Sequence, residues 1–290
     1  MDVSIIIVNY NTLDLTKNCI NSVIEKTKGI DYEIILVDNA SSDGSKDYFS
    51  NNPNITYIYN VNNLGFGTAN NIGAKVASGK YLFLLNSDTL LIDNSIKIFF
   101  DYMEANTTIA ACGGNIINAK YENTFVGGNF PSLINEFLQI GFYRFINTRI
   151  NRKISITQKC TDLETDSIDY IIGADIFIRH NIFKELKGFD ESFFMYYEET
   201  DLFKRMSKLK YKSIIIPNTT IVHLVGASSS TQIGLMKYRM IHTSKILYYR
   251  KHKSNAYVML VKLFDFIAVA LHPHCYSKEY FKILKESIKG

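Results

Sequence analysis

Three apolar runs in the N-terminal third constrain this chain more than any other feature. "VSIIIVNYN", "YEIILVDN" and "KYLFLLNSD" are rich in Ile, Val and Leu, run without polar alternation, and end in polar tips. A strand with one wet face alternates apolar and polar residues. An unbroken run is instead the pattern of a strand covered on both faces, as in a parallel sheet between helices. The intervening segments agree. Leu15, Cys19 and Val23 recur at helical spacing, "SSDGS" has the turn chemistry that opens a short helix, and "NITYIYN" is a further strand. "GFGTANNIGAKVASG" reads as a helix through Ala69, Ile72 and Val76 stopped at Gly79, residues 95–105 as another helix, and "IAACGG" as a strand. Alternation over short links predicts an α/β domain with a mostly parallel sheet.

Beyond residue 114 the pattern weakens. Residues 115–166, rich in Asn, Phe and Tyr, read as loops and short helices. "SIDYIIGADIFI" resumes strand character, "ETDLFKRMSKL" is helical, and "YKSIIIPNTTIVHL" is one or two strands. From Thr231 the chain reads as helix. The expected organisation is a domain over residues 1–230, split into a nucleotide-binding half (1–114) and an acceptor and catalytic half (115–230), followed by a helical region over 231–290.

The charge is unevenly placed. Lys237 to Gly290 holds eleven Lys or Arg against three Asp or Glu, +8 in a chain of net +4. That suits an anionic lipid or ligand, and equally a solvated basic face. "AYVMLVKLFDFIAVALH" is nearly apolar, but Lys262 and Asp265 interrupt it on one helical face, which argues against a spanning helix. Lys278, Lys282, Lys285 and Lys289 line one side of the last segment, with Phe281, Leu284 and Ile288 on another. That pattern fits lying on a membrane surface, or packing against protein. No basic n-region precedes the first strand, and the four cysteines form no CxxC pair. Neither a signal peptide nor a disulfide or zinc framework is expected. The expected location is the cytoplasm, peripheral on the inner face of the cell membrane.

In open α/β sheets, ligands bind beyond the carboxyl ends of the strands. The polar tips here are Val8-Asn9-Tyr10-Asn11, Asp38-Asn39-Ala40-Ser41, the Asn62–Gly67 loop and Asn86-Ser87-Asp88. Asp38 could accept the imide N–H of a pyrimidine, while Asn9, Tyr10 and Asn11 frame base and ribose. Gly65 and Gly67 would admit backbone close to a ligand, and the helix they open would offer N–H groups to an anion. Neither GxGxxG nor GxxxxGK[ST] occurs, so dehydrogenase and P-loop readings fall away, and no nucleic-acid partner is expected.

With "VSIIIVNYN", "ILVDNASSDGS", "NNLGFGTANNIG", "LLNSD", "GFDESFFMYYEETDLFKR" and "VHLVGASSS" in this order, the chain resembles family-2 inverting glycosyltransferases of the GT-A fold, in their bacterial rhamnosyltransferase-like branch. The resemblance runs from about Val3 to Ser230. It implies a Rossmann-like, mostly parallel sheet with flanking helices, plus a C-terminal helical extension. It also implies transfer from a UDP- or dTDP-sugar to an oligosaccharide or lipid-linked acceptor in cell-surface polysaccharide synthesis. Asp38 with Val8, Tyr10 and Asn11 would form the nucleotide pocket, and Asn63, Gly67 and Asn70 would lie near ribose and diphosphate. Asn86-Ser87-Asp88 stands where the family has its DxD-type motif. Asp88 and His223 would hold Mg²⁺ or Mn²⁺ on the diphosphate. Glu198-Glu199 stands where the family shows Glu-Asp, making Glu199 the candidate base and Glu198 the runner-up. Asp175 would face the acceptor, and Asp201, two residues past Glu199, would support the helix or an acceptor loop.

The chain departs from the family at Asn86, which removes one carboxylate from the motif, and at Glu199, whose longer arm moves the basic oxygen by one methylene. Each residue also has a plain structural reading: Asp88 as a turn cap, the glutamates as first-turn helix acids, His223 as a core histidine, and Arg205 on a solvated helix face. The functional alternative is a catalytically inactive nucleotide-sugar-binding regulatory or scaffold protein.

Overall fold

The three apolar runs lie side by side at the heart of one sheet. The structure is a computed structural model that describes residues 1–139, 158–160, 167–224, 233–271 and 282–284. Its strands are β1 (Val3–Asn9), β2 (Tyr32–Asp38), β3 (Thr56–Tyr59), β4 (Tyr81–Asn86), β5 (Thr89–Leu91), β6 (Ile109–Ile117), β7 (Phe125–Gly128), β8 (Gln158–Lys159), β9 (Ser167–Ile168), β10 (Tyr170–Ile171), β11 (Asp175–Arg179) and β12 (Lys212–His223). The main sheet has the order β3-β2-β1-β4-β11-β6-β12-β5, with β9 on β12. β1 is parallel to β2 and β4, β2 to β3, and β12 to β6. β11 is antiparallel to both of its neighbours. The GT-A expectation, a mostly parallel sheet flanked by helices with helices at the C-terminus, is met.

Unbroken apolar strands are explained by two cores. Ile6, Ile35, Val37, Leu82, Leu84, Ile176 and Ile178 face one side, under the helices Phe66–Val76 and Glu198–Lys208. Ile5, Ile7, Ile34, Leu36, Phe83, Leu85 and Phe177 face the other, under Leu13–Lys26 and Ser95–Ala105. Register aligns the polar tips. Asn9 is opposite Asp38 and Val8 opposite Asn86. One sheet edge therefore collects three of the four polar stretches.

Several expectations change. Residues 115–166 were expected to hold no strand, but β6 runs on to Ile117, β7 follows, and β7 pairs with β10 and β8 in a small antiparallel sheet. Glycines at 127 and 128 disguise β7 as loop. Residues 140–157 and 161–166 lie outside the described residues. "SIDYIIGADIFI" is three strands rather than one, because β9, β10 and β11 pair with different partners. "YKSIIIPNTTIVHL" is one strand with a register shift between Ile216 and Thr220. β5, too short to show periodicity, went unanticipated.

The C-terminal residues form the helices Ile233–His252 and Asn255–Leu271, which share a small core with the body: Phe193, Ile246, Tyr248, Tyr249, Val258 and Val261. Asp265 points inward and is buried, paired with Lys245 at 2.5 Å. Among the described residues no helix is long and apolar enough to cross a membrane. Lys278, Lys285, Lys289, Phe281 and Ile288 lie outside the described residues.

Candidate active site

Asp38 ends β2, fully buried. Its Oδ1 accepts the Ser41 N–H at 2.8 Å, and its Oδ2 accepts the Tyr57 hydroxyl at 3.0 Å and the Asn9 amide at 3.3 Å. A carboxylate has about four lone-pair sites, so one remains for a ligand. Asn9 is buried as well. Its other amide contact is the Ser41 hydroxyl at 3.0 Å, and its Oδ1 accepts from Thr12 and Thr16 at 2.8 and 2.9 Å. Asn9 therefore orients Asp38 and the Thr12 turn instead of framing a base, a correction forced by its place inside the sheet. Val8 is partly buried in the core. Tyr10, at 49% exposure, and Asn11, with φ of 54°, stand at the open rim. Asn11 Oδ1 accepts the Ser42 N–H at 2.7 Å, tying the first two tips together.

The third tip is organised by Asn39. Its Nδ2 donates to Asn63 Oδ1 at 2.7 Å and Gly65 O at 3.3 Å, and its Oδ1 accepts from Asn60 Nδ2 and Leu64 N, both at 3.1 Å. Nothing in the sequence distinguishes Asn39, because an Asn after a strand looks like any turn residue. Gly65 and Gly67 admit protein rather than ligand. Gly65 has φ of +84°, and a Cβ there would sit 2.2 Å from Phe194 O. A Cβ on Gly67 would come 2.9 Å from Phe189 Cβ and 3.6 Å from Glu198 Cβ. The Phe66 N–H is taken by Phe194 O. These glycines let the helix Phe66–Val76 press against the segment carrying the glutamates. Asn70 Nδ2 donates to Phe66 O at 3.0 Å, while its buried Oδ1 has no partner.

At the fourth tip the Asn86 backbone bonds to Ala174 O, and the Ser87 hydroxyl lies 3.1 Å from that of Thr12. Asp88 Oδ1 is 3.1 Å from His223 Nε2. The cause is topological: β5 pairs antiparallel with β12, placing His223 opposite Thr89, and the Leu224 N–H closes on Asp88 O. Two side chains 135 positions apart thus meet at the sheet edge. Carboxylate and imidazole together suit a divalent ion whose remaining ligands are ligand oxygens. Among the described residues no group of three or more such side chains gathers. The rest of "VHLVGASSS", residues 225–230, lies outside the described residues.

Glu198 and Glu199 open the helix Glu198–Lys208, directly after Tyr196 and Tyr197, both left-handed with φ of 69° and 67°. Glu198 is buried, and Oε2 of each glutamate is enclosed without a partner. Burial, reinforced by the charge of Glu199, holds the Glu198 carboxyl well above the ordinary range. Burial pushes Glu199 up to about 7, against the pull of the backbone N–H groups at its own position and at Thr200. A carboxyl with that pKa can take and return a proton near neutrality. Consecutive left-handed tyrosines are invisible in sequence, since Tyr has no preference for φ > 0.

The two residues expected near the acceptor are both buried. Asp175 begins β11 in mid-sheet and is fully buried; its Oδ2 accepts the Gly114 N–H at 2.6 Å, and burial holds its carboxyl far above the usual range. Asp201 is also buried. Its Oδ2 accepts from Arg205 Nε at 2.7 Å, and its Oδ1 lies 2.8 Å from His252 Nε2. Arg205 goes on to donate to Leu186 O and Gly188 O, so it braces a loop with only part of its side chain left to solvent.

Comparison with known proteins adds a family. A family model described as glycosyl transferase family 2 matches residues 4–187. An abequosyltransferase of Salmonella typhimurium is 33% identical over 118 residues, 39% of this chain and 35% of its own. An N-acetylglucosaminyl-diphospho-decaprenol L-rhamnosyltransferase of Mycobacterium tuberculosis is 24% identical over 202 residues, 66% of each chain. The chain spans about a third or less of the length of the first curated relatives it matches. A mannosyltransferase from Pyrobaculum calidifontis, solved with GDP-Man and Mn²⁺, superposes with a TM-score of 0.59 at 14% identity, over 99% of this chain and 79% of its own. That likeness is one of fold.

Proposed function

The chain belongs to glycosyl transferase family 2, and from that premise we propose that it is an inverting glycosyltransferase. It moves a sugar from a UDP- or dTDP-sugar to a hydroxyl of a glycan or lipid-linked acceptor in cell-surface polysaccharide synthesis. The observation that carries the reading is Glu199: a carboxyl whose Oε2 is enclosed without a partner and whose pKa burial raises to about 7.

An acceptor hydroxyl is a poor nucleophile until its proton is removed. Glu199 takes that proton as the oxygen attacks the anomeric carbon opposite the leaving diphosphate, which inverts the centre. The transition state has oxocarbenium character, as in glycoside hydrolysis. Glu198 stays protonated and adds no second negative charge beside the base. Asp38 reads the pyrimidine imide from its remaining lone pair, with Val8, Tyr10 and Asn11 at the rim. Asn63 and Asn70 lie toward ribose and diphosphate. Asp88 and His223, with Asn86 and Ser87 beside them, would hold Mg²⁺ or Mn²⁺, which when bound neutralises charge on the departing diphosphate.

Lipid-linked acceptors fit the relative named for a diphospho-decaprenol substrate. They also fit peripheral placement on the inner face of the cell membrane. The helices Leu133–Gln139 and Asn255–Leu271 expose Ile134, Phe137, Met259, Leu260, Leu263 and Phe266, and residues 237–290 carry a net charge of +8.

The test is nucleotide release from a panel of UDP- and dTDP-sugars with Mn²⁺, on wild type and Glu199→Gln. Turnover by the wild type that collapses in the variant is expected. Donor binding without turnover under any acceptor would replace this reading with that of an inactive nucleotide-sugar-binding protein.

A further inference from the structure

The helix Ile233–His252 turns two neighbouring stripes toward the protein. Ser244, Tyr248 and His252, spaced four apart, share the first. The Ser244 hydroxyl donates to Met195 O at 2.8 Å, the Tyr248 ring packs on Tyr197 at 5.7 Å, and His252 Nε2 meets Asp201 at 2.8 Å. Lys251 pairs with Asp190. These partners bracket Glu198 and Glu199 along the chain on both sides. The second stripe, Lys245 and Tyr249, anchors the helix. Lys245 Nζ donates to Glu136 Oε2 at 2.9 Å and Asp265 Oδ1 at 2.5 Å, and the Tyr249 hydroxyl donates to Glu136 Oε1 at 2.8 Å. All four side chains are buried. Burial works against the Lys245 charge, but Asp265 and Glu136 outweigh it. A buried ion pair of this kind is well suited to fixing one arrangement of three helices.

The segment so held is the one that needs holding. Tyr196 and Tyr197 are both left-handed, a conformation that side chains with a Cβ adopt only when their surroundings impose it. The contacts imposing it are the Phe66 N–H on Phe194 O from one side and Ser244 and Tyr248 from the other. Loss of the second set would remove the contacts on one side of the turn that leads into Glu198 and Glu199.

We propose that Ser244 and Tyr248 are positioning residues for Glu199, so that the C-terminal helices complete the active site by clamping the Tyr196–Tyr197 turn. The proposal rests on Glu199 being the base. The ionisable groups around that carboxyl are Glu198 on its own helix, Tyr170 on β10, and Tyr196 and Tyr197 in the turn; Lys245, Glu136 and Asp265 lie behind Tyr197.

The experiment uses full-length protein carrying carboxyl-labelled glutamate, with the Glu199 resonance assigned by its loss in Glu199→Gln. Wild type, Ser244→Ala and Ser244→Thr are titrated by NMR, and their pH–rate profiles are measured in parallel. In Ser244→Ala the Glu199 midpoint should fall from about 7 by about one unit or more, toward the ordinary glutamate value. Its kcat should drop about five- to tenfold with KM unchanged, the loss of one hydrogen bond that supports the base. Ser244→Thr, which keeps the hydroxyl, should restore both. A folded Ser244→Ala whose Glu199 midpoint coincides with wild type overturns the proposal, as does a loss confined to KM. Should Ser244→Ala fail to fold, Tyr248→Leu removes the ring contact without stranding a carbonyl and is read the same way. Absence of wild-type turnover would sink the functional reading instead, and the titration would still decide whether the clamp governs Glu199.

Discussion

Replacing Glu199 by Gln should inactivate the protein and stabilise it in the same stroke. The carboxyl has an ordinary value of 4.5 and a folded value of about 7, raised by burial. Between those values the folded state binds the proton that the unfolded chain has released. Stability from this group is therefore greatest below about pH 4.5 and is lost as pH rises through about 7. Each pKa unit corresponds to about 1.4 kcal/mol, so by neutral pH ionising Glu199 has cost the fold about 3 kcal/mol. Gln keeps the shape and cannot ionise. Glu198, held protonated by burial and then by its neighbour, adds a loss of the same sign at higher pH. The measurement is urea unfolding of wild type and Glu199→Gln between about pH 5 and pH 8, followed by far-UV circular dichroism because the chain has no Trp. The variant's stability advantage should grow by about 2.5 kcal/mol across that range, while its kcat/KM falls about a hundred- to ten-thousandfold. An advantage that is independent of pH, or that shrinks as pH rises, would refute the assignment of the raised pKa to Glu199.

Three further outcomes follow from the contacts around the site. Tyr57→Phe removes one of three donors to the buried Asp38 carboxylate and should cost about 1.5–3 kcal/mol in urea unfolding, with weaker nucleotide binding by calorimetry. Asp201→Asn strands Arg205 and His252, and should destabilise by about 3–5 kcal/mol while leaving the acceptor KM within twofold or so, because the residue braces helices and does not meet the acceptor. Stripping divalent ions with a chelator should abolish sugar transfer by the wild type. Asp88→Ala should need far higher Mn²⁺ for half-maximal rate, and an unchanged Mn²⁺ dependence would remove Asp88 as a ligand.

Much of the architecture could be read from residue order. The unbroken apolar strands required cover on both faces, and two cores supply it. The segments that misled were those whose partners are remote: β5, β7 and the split of "SIDYIIGADIFI" depend on which strand each meets, and short strands rich in glycine carry little periodicity. Among site residues, the polar tips were legible because strand register delivers them to one edge. Asp175 was harder to place, because an acidic residue reads alike whether it faces solvent or is sealed behind Gly114.

By itself, then, the sequence determined the sheet, its two-sided core and the carboxyl edge where a polar ligand belongs, since these follow from local period and the order of elements. Only the tertiary structure decided that the β5–β12 pairing is what brings Asp88 to His223, and that Glu199 follows two left-handed tyrosines with one carboxyl oxygen enclosed. It alone also seated a helix from beyond residue 230 on that turn. Each of these depends on desolvation or on contact between residues distant in the chain, and neither is encoded in the neighbours of a single position.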